Sequence, residues 1–248
     1  CFNIQFAIQG DMLYVLEVNP RSSRTVPFVA KSSGLPLARI AANITIGIPL
    51  SKQTIPVRTS GNVCVKAPVF PFIKLRGLDP APGPEMKSTG EVFGSHKDAD
   101  VAYLKARLAT EVPVAKEGGV YLTVRDDDKE NLVPIAQQLK DLGFTLFATP
   151  GTADVLRENN VPVEVVYRIM ERMHPDALDL MRQGKISFIV NVPTVSGGAV
   201  RDGNMMRRLA VELNIPFVTT IRGAKMEVAA IAAMMKGEME PVRLQVNY

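Results

Sequence analysis

From residue 119 to residue 236 the chain alternates between short apolar runs and stretches of helical periodicity, and nothing else in the sequence restricts the fold as much. Strand-like runs at 120–124, 144–148, 163–167, 186–192 and 217–219 are each followed by a helix-like stretch, at 129–142, 151–159, 174–183, 200–214 and 223–236. Five such units in succession predict an α/β fold, a five-stranded parallel sheet that is doubly wound, with helices on both faces. The run Ile186-Ser187-Phe188-Ile189-Val190 is almost wholly apolar, as a strand covered on both faces requires. A closing strand over 242–246 is also expected.

Ligands of such sheets bind beyond the carboxyl ends of the strands. That rule selects Lys129 after the first strand, Thr149 and Thr152 after the second, Arg168 after the third and Asn191 after the fourth, with Thr194 and Ser196-Gly197-Gly198 beyond it. Ala148-Thr149-Pro150-Gly151-Thr152 brings hydroxyls and backbone N–H groups to the start of a helix, which suits phosphate or carboxylate. The same threonines suit helix caps, and the glycines suit turns.

The first part of the chain is built differently. Phe2, Ile4, Phe6 and Ile8 alternate with smaller or polar residues, Gln9-Gly10-Asp11 is a turn signal, and Met12–Asn19 alternates again, so a β-hairpin is expected. Glu17 and Asn19 then point to one face, about 7 Å apart along the strand, and Gln5 on the first strand can converge with them. Oxygen donors of this kind suit a hard cation such as Mg²⁺, which takes its remaining ligands from substrate phosphates. Arg21 and Arg24, just beyond Pro20, could hold those phosphates; the alternative is a strand ending in a proline turn with ordinary surface charges. Helices are predicted over 25–33, with Pro27 near its start and Gly34 after it, and over 35–46, both packed on the hairpin sheet. Residues 49–88 are proline-rich and aperiodic, and Asp79-Pro80-Ala81-Pro82-Gly83-Pro84 excludes regular structure. A short strand over 88–94 and a helix over 99–109 precede a linker at 110–118, which divides the chain into 1–113 and 114–248.

Composition narrows the function classes. With 46% hydrophobic and 22% charged residues among 248, the chain is globular rather than disordered. No run of about 18 apolar residues is present, so no membrane span is expected, and the first residues have no basic region of a signal peptide. Cys1 and Cys64 suit a reducing, intracellular setting, and with His96 and His174 they do not make a zinc site. Residues 1–113 hold 13 Lys+Arg against 8 Asp+Glu, and residues 114–248 hold 16 against 17. That mild basic excess without a cluster argues against nucleic acid and fits a small anionic ligand better, with an ordinary solvated surface as the default reading. The chain opens at Cys1 in what reads as mid-sheet, so a longer parent is expected.

Gln5 with Glu17-Val18-Asn19-Pro20-Arg21-Ser22-Ser23-Arg24-Thr25-Val26-Pro27-Phe28 resembles the second ATP-grasp unit of the carbamoyl-phosphate synthase large-subunit family. Gly83-Pro84-Glu85-Met86-Lys87-Ser88-Thr89-Gly90-Glu91-Val92 is similar to a further segment of that family. The five-unit tail resembles its C-terminal regulatory domain, itself similar to methylglyoxal synthase. The resemblance covers essentially the whole chain: 1–113 as the end of the ATP-grasp unit with connecting helices, and 114–248 as the methylglyoxal-synthase-like allosteric domain.

The resemblance implies an ATP-dependent carbon–nitrogen ligase that makes carbamoyl phosphate from bicarbonate, glutamine-derived ammonia and ATP, for arginine and pyrimidine synthesis in the cytoplasm. It implies Gln5, Glu17 and Asn19 as Mg²⁺ or Mn²⁺ ligands, Gln5 and Glu17 thereby contacting ATP, and Arg21 and Arg24 as stabilisers of the transferring phosphoryl group. Such stabilisation is most of what phosphoryl transfer requires. It implies a glutamine amidotransferase small subunit as partner, a homo-oligomer, and a nucleotide effector such as UMP or IMP at Lys129, Thr149, Thr152, Arg168 and Asn191. Arg168 keeps the family's positive charge, and Pro193 replaces a hydroxyl residue. Ala67 and Phe217-Val218 stand where ornithine-responsive members carry an acidic residue and a Tyr-Asp pair, so ornithine control is not expected. The segments that hold adenine would lie upstream of Cys1, so residues 1–248 alone are expected to be inactive. Two other readings remain: an isolated effector-binding and oligomerisation module, and a methylglyoxal synthase, whose aspartate would follow Gly197-Gly198 more closely than Asp202 does.

Overall fold

The structure is a computed structural model that describes residues 1–55, 61–72, 80, 85–193, 198–237 and 239–241. The hairpin forms from β1 (Asn3–Gln9) and β2 (Met12–Asn19), antiparallel about a turn at Gly10, whose φ of +58° favours glycine. The helices that follow are α1 (Thr25–Ser33) and α2 (Leu37–Thr45). Gly34 closes α1 in the left-handed conformation, the Pro-first, Gly-last arrangement the sequence predicts.

These helices do not dock on the hairpin as expected. Among the described residues β1 and β2 pair only with each other, and neither helix buries a residue. The side chains of α1 instead reach a second two-stranded sheet, β3 (Val63–Val69) with β4 (Gly90–His96). Phe28 meets Phe93 edge-on at 5.6 Å between ring centres, and Lys66 Nζ donates to Thr25 Oγ1 at 3.5 Å. β3 is also a correction, since 49–88 reads as aperiodic. Pro68 hides it, yet a proline is tolerated in a sheet of only two strands, where one side of each strand needs no ladder bond. The predicted strand over 88–94 begins two residues later, at Gly90.

Helix α3 (Ala99–Leu108) starts where the Asp98 carboxylate accepts the N–H groups of Asp100 and Val101 at 2.8 and 3.2 Å. It lies tightly on β4: a Cβ at Gly94 would come within 2.1 Å of the Ala102 carbonyl oxygen. The stretch over 110–118 is no solvated spacer, because Thr110, Val114 and Ala115 are buried.

The expected α/β sheet follows: β5 (Gly119–Thr123), β6 (Thr145–Ala148), β7 (Glu164–Val165), β8 (Ile186–Asn191) and β9 (Phe217–Val218), all parallel, in the order β7-β6-β5-β8-β9. The connecting helices are α4 (Lys129–Asp141), α5 (Pro150–Glu158), α6 (Ala177–Arg182) and α7 (Gly198–Glu212), and α8 (Ile221–Met235) follows β9. One apolar cluster joins the sheet to α3, α4, α5 and α8, with Leu104, Leu122, Leu132, Phe144, Phe188 and Ile231 fully buried; a second, around Ile189, Met181 and Ala210, joins it to α6 and α7. Burial on both faces explains why the strands read as continuous apolar runs. Residues 242–246 and 194–197, and all of 79–84 except Pro80, lie outside the described residues. Among the described residues no helix is long and apolar enough to cross a membrane.

Candidate functional site

The hairpin places Gln5 directly opposite Glu17 and Asn3 opposite Asn19. Gln5, Glu17 and Asn19 therefore share one face, as their spacing predicts. Asn19 Nδ2 donates to Glu17 Oε1 at 2.5 Å. The register shifts immediately after Gln5, where Phe6 faces Val15 and leaves Leu16 as the extra residue of a bulge; such bulges bend the strand and re-aim neighbouring side chains. An amide oxygen, a carboxylate and a second amide fit a hard cation. For Asn19 to offer oxygen beside Glu17, its amide turns over, at the cost of one exposed hydrogen bond. Arg21 is exposed and its guanidinium donates to the neighbouring Ser22 carbonyl at 3.2 Å. Arg24, at the start of α1, donates to the Ser88 carbonyl at 3.3 Å, which ties the motif to the segment just before β4.

The second constellation is more enclosed. Lys129, Thr149, Thr152, Arg168 and Asn191 all line one cavity of about 180 Å³. It sits at the carboxyl ends of the strands, beside the pair β5 and β8, where the strand order reverses direction, the place such sheets use for ligands. Thr123 and Asn191, paired at the ends of β5 and β8, form its floor edge. Thr149 occupies the N-cap position of α5, yet its side chain makes no capping bond and instead donates to the Thr152 hydroxyl at 3.3 Å. Lys129 Nζ is 2.7 Å from Asp126 Oδ1, whose side chain is 92% exposed. The ammonium holds that carboxyl below the usual carboxylate range, through its hydrogen bond first and its charge second. An exposed partner of this kind is readily exchanged for a ligand anion.

Sequence reasoning left out the opposite wall. Tyr121, Asp202, Gly203 and Met206 line the cavity as well. Asp202 Oδ2 accepts the Met170 N–H at 3.5 Å, while Oδ1 is buried without a hydrogen-bond partner among the described residues. Burial pushes the Asp202 carboxyl up, and the Met170 N–H and the Arg168 charge oppose that rise. Tyr121 is pushed above the usual phenol range by burial, then by Asp202 and Asp176. Asp202 and Met206 come from the helix after β8, so their approach depends on a crossover that no local spacing reveals.

The chain thus has two parts: a hairpin whose Gln5, Glu17 and Asn19 share one face, and a five-stranded parallel sheet with a cavity at its switch point. The comparisons agree with both parts. Residues 1–53 match the family model "Carbamoyl-phosphate synthase L chain, ATP binding domain", and residues 131–219 match the MGS-like domain. A carbamoyl phosphate synthase large chain, C-terminal section, of Methanocaldococcus jannaschii is 46% identical over 96% of this chain and 40% of its own length. Large chains of Methanosarcina barkeri and Archaeoglobus fulgidus are 44% and 43% identical, over 59% and 22% of their lengths. The chain thus spans less than two thirds of each of these relatives. It belongs to the family of carbamoyl phosphate synthase large chains.

Proposed function

We propose that the chain works as part of a glutamine-hydrolysing carbamoyl phosphate synthase, an ATP-dependent ligase that joins bicarbonate and ammonia for arginine and pyrimidine synthesis in the cytoplasm. Residues 1–113 contribute to the site that phosphorylates carbamate, and residues 114–248 bind a regulatory nucleotide. The observation that carries this reading is the meeting of Lys129, Thr149, Thr152, Arg168 and Asn191 in one cavity, in a chain whose first 53 residues match the family's ATP-binding domain. Two cations and two hydroxyls around a cavity of about 180 Å³ suit a phosphate group.

In the first part, Gln5, Glu17 and Asn19 would hold Mg²⁺ or Mn²⁺, which supplies charge neutralisation to the phosphates of ATP when bound. Arg21, exposed beside them, reaches toward the transferring group. Arg24 contributes more by anchoring the motif to residue 88 than by contact with phosphate, since its guanidinium is already engaged there. A glutamine amidotransferase small subunit would deliver ammonia, and the assembly would be oligomeric. Gln5, Glu17 and Arg21 stand exposed, and phosphoryl transfer needs them enclosed from water. Residues 1–248 by themselves therefore make no carbamoyl phosphate.

Calorimetric titration of UMP and of IMP into the chain tests the second part. One of them binds, and Thr149→Ala weakens it by about tenfold, the worth of one hydrogen bond to a charged group. Absence of binding by both removes the regulatory reading. ATP-dependent carbamoyl phosphate formation by residues 1–248 would overturn the proposal that they are inactive alone.

A further inference from the structure

Behind the cavity wall lies an arginine that no ligand would touch. Arg207 on α7 is 2% exposed. Its Nη1 donates to Asn191 Oδ1 at 2.5 Å, and its Nη2 donates to Asn204 Oδ1. Asn191 itself is 5% exposed and lines the cavity at the end of β8.

An asparagine amide offers an oxygen that accepts and a nitrogen that donates, and which of them faces a cavity decides whether it welcomes an anion. A guanidinium only donates. It can therefore accept one orientation of Asn191 and no other, because the reversed amide would set N–H against N–H in a buried place, where an unmade bond is costly. With Oδ1 taken by Arg207, Nδ2 is the end left for the cavity. The space for this contact exists because residue 203 has no side chain: a Cβ there would stand 2.8 Å from Arg207 Nη1 and 3.3 Å from Asn191 Oδ1.

We infer that Arg207 is a positioning residue that fixes the Asn191 amide with its N–H donors toward the cavity and so makes this end of the site selective for an anion. The inference rests on the reading of the cavity as a phosphate site, and it commits that site to a ligand whose oxygens, not its donors, meet Asn191.

The test uses the 248-residue chain with UMP as the probe, and the variants Arg207→Met, Arg207→Lys, Asn191→Ala and the double variant Asn191→Ala/Arg207→Met. Arg207→Met weakens UMP by about tenfold. Arg207→Lys keeps the charge but not the fork to two amides, and weakens UMP nearly as much. In the Asn191→Ala background, Arg207→Met changes UMP affinity less than about twofold, because its target is gone. An equal loss in both backgrounds, or full affinity in Arg207→Lys, would mean that the buried charge acts through its field and would overturn the inference. A second readout needs no ligand. Hydrogen exchange of the Asn191 side-chain amide, followed by NMR, speeds up at least about tenfold in Arg207→Met while the backbone amides of β8 stay protected. Unchanged side-chain exchange overturns the inference whatever UMP does. Exchange that depends on Arg207 in a protein that binds neither UMP nor IMP upholds the positioning role and removes the nucleotide reading instead.

Discussion

The two halves of the molecule build their sites in opposite ways. Before Ala67 no described residue is buried, although the hairpin is rich in large apolar side chains: Phe2, Phe6, Ile8, Met12 and Leu16 are each at least half exposed. From Val101 onward the chain supplies nearly all of the core. In the hairpin, a turn and an antiparallel ladder suffice to bring Gln5 opposite Glu17, twelve positions apart in sequence. In the tail, the cavity exists only after β5, β6 and β8 have paired and the residues from Lys129 to Met206 have converged. One constellation is local and open, the other assembled and enclosed, and their responses to mutation should differ accordingly.

The largest difference is expected in the core. Phe188, fully buried on β8, packs in the cluster that unites the sheet with α3, α4, α5 and α8. Phe188→Ala should lower stability by about 3–5 kcal/mol, measured by urea unfolding with far-ultraviolet circular dichroism. It should also abolish any nucleotide response, because the cavity and the core form together. A cost below about 1 kcal/mol would mean that the sheet is not the cooperative unit its burial implies.

Next comes the joint between the halves. Arg107 on α3 donates from Nε to Glu227 Oε2 at 2.7 Å and from Nη2 to Oε1 at 3.0 Å, and the Tyr103 hydroxyl donates to Oε2 at 3.1 Å. Glu227, on α8, is 1% exposed. Burial and then the Glu227 charge push Tyr103 above the usual phenol range. Removing one member of a buried pair leaves the other uncompensated, so Arg107→Met should cost about 3 kcal/mol. The double variant Arg107→Met/Glu227→Met should cost less than the two singles added together. Strict additivity would show that α3 is attached by its apolar contacts alone.

These contrasts also explain what the sequence revealed. Alternation and turn chemistry are local signals, so β2 and α1 are legible to the residue and β1 to within one residue at each end, and the strand–helix rhythm fixes the order of the tail. The switch-point rule then names five cavity residues without a contact map. β3 was hidden because Pro68 removes a ladder donor, which reads as disqualifying unless the sheet is known to have only two strands. Asp202, Met206 and Arg207 were hidden for another reason. Asp202 and Met206 reach the cavity, and Arg207 reaches Asn191 behind its wall, only when α7 packs back beside β8, and nothing near them in sequence records that return. The packing of α1 on β3 and β4, through Phe28 and Phe93, is of the same long-range kind.

A smaller effect, dependent on pH, is expected at the exposed start of α6. His174 Nδ1 pairs with Asp179 Oδ2, and Asp179 in turn accepts the Asp176 N–H at 3.1 Å. The hydrogen bond and charge of Asp179 raise the His174 pKa, and the bond from His174, then the Asp176 N–H, lower that of Asp179. A raised histidine stabilises below its unfolded value of about 6.5 and loses that contribution as pH rises through the folded value. A lowered aspartate stabilises above about 3.9 and loses it as pH falls through the folded value. The pair therefore contributes most between about pH 4 and 6.5. Melting temperatures of His174→Asn and the parent should differ most in that window and converge as pH rises past the folded histidine value; a gap that persists at high pH would assign the effect to packing.

The smallest effect should come from an apolar residue of the hairpin. Ile8 closes the apolar alternation of β1, yet it is 75% exposed. Its partner across the ladder is Leu13, 59% exposed. Truncating an exposed side chain removes little area from contact, so Ile8→Ala should change stability by less than about 0.5 kcal/mol. The same measurement on Phe188 differs by several kcal/mol, although both are large apolar residues of strands. A loss of about 2 kcal/mol at Ile8 would require the side chain to be covered in solution, since burying it fully is worth about that much. The hairpin would then be one layer of a larger packing, with Gln5, Glu17 and Asn19 on its other face, and the contrast between the two halves would be one of partnership rather than of construction.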